Sequence, residues 1–62
     1  MKARIDVNMD NAAFEDDAKL ELWGVLIQAA GAVWSGEAPH AGYGFTLRDT
    51  NGNLVGQLVI EE

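Results

Sequence analysis

The segment Leu20–Trp34, "LELWGVLIQAAGAVW", decides how this chain folds, because it is the one stretch long enough to be a helix. Stepping 100° per residue from Leu22, the residues Leu22, Leu26, Ala29 and Val33 fall near one meridian, flanked by Ala18 and Val25. That stripe is enough to cover a small sheet. Leu20, Trp23, Ile27, Ala30 and Trp34 fall on the neighbouring meridian, so the apolar arc reaches roughly 220°, against little more than 100° for a helix that buries one side. Asp17, Glu21 and Gln28, with Gly24 and Gly31, mark a narrow polar or bare side.

Outward from this segment the pattern changes period. Upstream, Ala3, Ile5, Val7 and Met9 alternate with Arg4, Asp6 and Asn8, the period of a half-buried strand. Between the two, Asp10 or Asn11 can cap the first turn of a helix starting between Ala12 and Asp16, and Glu15, Asp16 and Asp17 suit the positive end of its dipole. Downstream, "SGEAP" stops the helix, with Gly36 expected to turn left-handed and Pro39 unable to continue. Residues 35–42 read as loop. Tyr43, Phe45 and Leu47 then alternate with Gly44, Thr46 and Arg48, and Leu54, Gly56, Leu58 and Ile60 with Val55, Gln57, Val59 and Glu61. These are two strands of a hairpin. Its turn is either Asn51-Gly52 alone or a three-residue form that starts at Asp49 and places Gly52 at the bulge.

The expected fold is therefore α+β in the order β-α-β-β, one helix packed on a three-stranded sheet, with residues 1–62 as a single small domain. A parallel pairing of the first strand would make the helix a right-handed crossover. A domain of this size buries only about 60% of its unfolded surface. Small scaffolds of this kind draw on disulfides, metals or partners. The chain has no Cys and one histidine, His40, so neither a disulfide nor a thiolate metal cage is expected, and no cofactor. A partner subunit is left, which makes a homodimer the expected assembly.

Ten acidic against four basic residues give a formal charge of −6, which disfavours direct contact with nucleic acid and with anionic membranes. No signal region or membrane span is evident, and the cytoplasm is the expected location. "DTNGNLVG" places oxygens at Asp49, Asn51 and Asn53 as a calcium loop does, but Leu54 and Ile60 stand where that loop needs its glycine and its bidentate Glu. Turn chemistry accounts for the same residues. "HAGYG" is too short and too far from a helix start to cradle phosphate. His40 has no Ser or Cys in a nucleophile setting, with Ser35 in a helix-ending turn, and Asp16 and Asp17 point to different sides of a helix. A non-enzymatic role is expected.

The candidate interaction surface, used either to dimerise or to dock on a partner, is the second apolar face: Leu20, Trp23, Gly24, Ile27, Gly31 and Trp34. Each large apolar side chain is worth roughly 1.5–3 kcal/mol when sealed from water, and Trp is enriched at the energetic centres of interfaces. A glycine inside a helix costs about 1 kcal/mol relative to Ala, so Gly24 and Gly31 read either as points of close approach or as tolerated weaknesses. The alternative for the indoles is cover from the 35–42 loop with Pro39 and Tyr43. A hairpin face with Thr46, Arg48 and Gln57 offers a second surface. The acidic group Asp10, Glu15, Asp16, Asp17 and Glu21 reads as a solvated helix start or, more sharply, as a mimic of nucleic-acid charge that blocks a basic groove.

The frame "MDNAAFED…LELWGVLIQAAGAVWSG…GFTLRDTNGNLVGQLVI" resembles a group of short uncharacterised proteins of bacteriophages and prophages. Its marks are a strand leading into "DNAAF", a helix opening with Glu21-Leu22, and a hairpin carrying Leu47, Asp49, Asn51, Gly52, Asn53, Val55 and Gly56. Nearly the whole chain is covered, but the motifs are caps and turns and transfer no site. The sequence departs from the group at Trp23, Gly24, Ile27 and Trp34, where charged residues are usual. The resemblance implies an inhibitor or modulator of a host protein complex, such as a CRISPR-type defence complex. A self-associating structural or accessory phage protein is the alternative.

Overall fold

The computed structural model describes residues 1–37 and 39–62. The elements run β1 (Lys2–Val7), α1 (Ala12–Asp16), α2 (Ala18–Ser35), β2 (Gly44–Arg48) and β3 (Leu54–Glu61). The three strands form one antiparallel sheet in the order β1-β3-β2, so the longest strand is central and β1 returns antiparallel, not parallel, to the hairpin. The α+β fold is as the alternation patterns require.

The helical segment is broken once. Asp17 leaves the helical backbone (φ −150°, ψ 86°) and its Oδ1 accepts the Leu20 N–H at 3.1 Å, so it ends α1 and caps α2. This separates one turn of helix that delivers Phe14 into the core. Asn11 stands at the N-cap of α1, but its side chain makes no capping bond. At the other end, Gly36 is extended (φ −88°, ψ −173°) rather than left-handed. A Cβ there would lie 2.9 Å from the Ala32 carbonyl, which accepts the Gly36 N–H. Close approach, not a positive φ, explains that glycine.

The hairpin turn takes the three-residue form. Gly52 donates to the Asp49 carbonyl at 3.0 Å with φ +85°, and Asp49 N–H donates to the Asn53 carbonyl at 2.9 Å. Leu47 pairs with Gly56 but Arg48 pairs with Leu54, so Val55 is an extra residue. The bulge breaks the expected alternation. Val55 turns into the core and Leu54 is left exposed.

The buried apolar residues are Phe14, Val25, Ala29, Leu47, Val55, Leu58 and Ile60; the first five form one cluster, with Val7 and Leu22 packed against it. On α2 the buried stripe runs through Val25 and Ala29, whereas Leu26 and Val33, expected on the sheet, are exposed. At 100° per residue, that is a rotation of roughly 60° toward the polar flank. The cause is a set of bonds on that flank. The Gln28 side chain exchanges two hydrogen bonds with the Arg48 peptide, and Glu21 Oε1 accepts the Thr50 N–H at 2.6 Å. These draw α2 over β2 and away from β1.

Candidate functional site

The rotation decides what the second apolar face of α2 becomes. With its polar flank anchored to the hairpin, the opposite flank turns to solvent: Trp34 is 90% exposed, Trp23 60%, Leu20 58% and Ile27 52%. Together with Leu26 and Val33 they form a contiguous apolar surface of the kind that marks interaction sites. The described residues of the loop give no cover to the indoles. Pro39 and Tyr43 line a small cleft with Ala32, Val33 and Ile60, and His40 stacks edge-on against Tyr43 at 6.1 Å.

Three of the six expected interface residues fall in two settings. Leu20 and Trp23 border a shallow hollow with Asp17 and Lys19 near the start of α2. Trp34 borders an apolar groove of about 420 Å³ between α2 and β1, floored by Ala3, Ile5 and Leu58 and walled by Leu26, Ala30 and Val33. Gly24 is half-buried beside Glu21, Gln28 and the hairpin turn, and Gly31 is exposed. A Cβ on either glycine meets nothing within 4 Å, so no backbone among the described residues requires them.

The groove beside β1 was not legible in the sequence. Register places Ala3, Ile5 and Val7 on the face of β3 that carries Leu58 and Ile60, the face toward α2. Only Val7 at the far end is packed against the core, and Ile5 is exposed because α2 leans the other way. The single signal was Gln28, a polar residue in a segment otherwise apolar for several positions on either side.

The acidic residues also divide. Asp10, Glu15, Asp16 and Asp17 are exposed at the start of the helical segment, while Glu21 is committed to the Thr50 N–H. Asp49 is buried at 6% exposure. Its Oδ1 accepts the N–H groups of Asn51 and Asn53, both at 2.9 Å, and its Oδ2 accepts the side-chain amides of Asn11 at 2.9 Å and Asn53 at 3.3 Å. The Asn11 amide, with those of Asn53 and Asn51, holds this carboxyl below its ordinary range against the opposing effect of burial. Asp49 thereby ties α1 to the hairpin, and its oxygens face N–H donors as a turn carboxylate does.

On the outer face of the sheet Arg4 pairs with Asp6 at 3.3 Å and with Glu61 at 3.2 Å. Thr46 lies opposite Gln57 and the two border a second, more polar cleft with Asp6 and Asn8, while Arg48 Nη1 donates to the Gly52 carbonyl at 3.0 Å. The Ser35 hydroxyl donates to the Gly31 carbonyl at 2.8 Å. No helix among the described residues is long and apolar enough to cross a membrane. No protein-family model matches this sequence, and no curated protein or solved structure matches it.

Proposed function

We propose that this chain is a non-enzymatic protein-binding module that docks through the exposed apolar face of α2, with Trp23 at its centre and Leu20 and Ile27 beside it. The observation that carries this reading is the exposure of Leu20, Trp23, Ile27 and Trp34 on one side of a helix whose other side is fixed to the hairpin. Two indoles and two aliphatic side chains left in water are a large unfavourable term for a small domain. Burying them against a partner removes that term. The rings present broad contact area at low cost in side-chain entropy, which suits them as anchors.

The resemblance to short bacteriophage proteins supplies the class of partner: a host protein complex in the cytoplasm, with the chain acting as its inhibitor or modulator. The charge-mimic reading has less behind it, because Asp17 and Glu21 are bonded within the fold and three other carboxylates are left on that surface. The test compares capture from a host lysate by the tagged chain and by a Trp23→Glu variant shown to fold by circular dichroism. A protein retained by the parent and lost by the variant supports docking through this face. Equal capture by both, or capture abolished only by reversing Asp16 and Asp17 to Lys, would move the site elsewhere.

A further inference from the structure

We propose that a second copy of this chain pairs antiparallel with β1 across a two-fold axis at Ile5, joining the two sheets into one of six strands. The Asn8 N–H bonds to the Val55 carbonyl at 2.7 Å in the register that pairs Asp6 with Gln57 and Arg4 with Val59. In an antiparallel ladder the bonded pairs alternate, so Arg4 and Asp6 point their peptide groups at β3. Ala3, Ile5 and Val7 point theirs outward from an edge that no strand among the described residues covers. The opposite edge differs. There the outward peptide of Arg48 is already occupied by Gln28.

Three registers pair outward groups, centred on Arg4, Ile5 or Asp6, and only the one centred on Ile5 uses all three residues. Centring on Arg4 or on Asp6 sets that residue against its own counterpart, a like-charge pair. Centring on Ile5 sets Arg4 of each copy opposite Asp6 of the other on the outer face, and Ile5 opposite Ile5 and Ala3 opposite Val7 on the face toward α2. Every charged pair in that ladder is of opposite sign, so charge complementarity selects it. The edge is also where self-association meets least repulsion, since Lys2 and Arg4 are half of the four cationic residues of a chain with charge −6.

The same two-fold brings the apolar groove of each copy to face the other across a floor of Ala3, Ile5 and Leu58 side chains, with Leu26, Val33 and Trp34 as walls. Leu20, Trp23 and Ile27 stay outward. The dimer therefore draws on a surface apart from the docking centre and presents that centre twice.

Sedimentation or light scattering of the parent chain should give the mass of two chains, dissociating on dilution. Ile5→Pro removes an outward N–H that β3 does not use, a substitution edge strands tolerate, and should give single chains with the circular dichroism of the parent. Asp6→Arg sets like charges opposite each other twice and should weaken the dimer about tenfold. Adding Arg4→Asp to that variant should restore it. A parent that stays single at all concentrations overturns the proposal, as does a dimer indifferent to Ile5→Pro. Should Ile5→Pro fail to fold, the charge exchange decides alone: no rescue by the double variant overturns the pairing. Trp23→Glu should leave the dimer intact, so loss of partner capture and loss of dimerisation are separable results.

Discussion

The side-chain amide of Gln28 lies along the peptide of Arg48 as a strand would, its Nε2 donating to the Arg48 carbonyl and its Oε1 accepting the Arg48 N–H at 3.1 Å. This pairing fixes which side of α2 meets the sheet, and so which side is left to solvent. Gln28→Ala removes both bonds and is expected to destabilise the fold by about 1–2 kcal/mol. Gln28→Glu should be no better than Ala, because a carboxylate oxygen then faces the Arg48 carbonyl. Urea unfolding followed by circular dichroism measures both. A Gln28→Ala chain as stable as the parent would mean that helix position rests on packing alone.

The Asn11–Asp49 contact predicts a pH dependence of defined sign. The folded Asp49 carboxyl ionises below its ordinary value of 3.8. Its contribution to stability is therefore fully present above that value and is lost as pH falls through the lower folded value. Asp49→Asn should be less stable than the parent at pH 7, and the difference should shrink below about pH 4. The two chains differ only at this side chain, so the difference between the two unfolding curves isolates Asp49. A difference constant across that range would contradict the assignment.

The glycines are expected to respond in opposite directions. Gly52 has φ +85°, and Gly52→Ala should cost about 1 kcal/mol through backbone strain. A Cβ on Gly56 runs into the Asp6 carbonyl, so Gly56→Ala should loosen the β1–β3 pairing and cost more. Gly24 and Gly31 have open space around the missing Cβ, and Ala at either should stabilise α2 by roughly 0.5–1 kcal/mol. A stabilised Gly24→Ala or Gly31→Ala chain that captures its partner poorly would show that these positions are kept bare for close approach.

How much of this was legible in the sequence follows from what kind of interaction set each feature. Period-two alternation defined β1 and β2, and Gly52 with Asp49 located the turn while leaving two forms of it open, because local backbone chemistry governs them. The width of the apolar arc on α2 was equally plain. Which part of that arc is buried was not, since Gln28 and Glu21 read as solvent-facing and instead hold the hairpin backbone. The same limit hid the inward turn of Val55 and the groove beside Ile5. Each depends on a contact between residues far apart in the chain or on a register that no single strand specifies.

The central claim is that α2 carries an apolar face that its own chain leaves open to water. Collisional quenching of tryptophan fluorescence by iodide or acrylamide, on Trp23→Phe and Trp34→Phe chains diluted until light scattering reads the mass of one chain, tests it most directly. Each chain reports its one remaining indole. The account predicts that both are quenched nearly as readily as free tryptophan in that single-chain state. An indole shielded from quencher in either chain at that mass would contradict it.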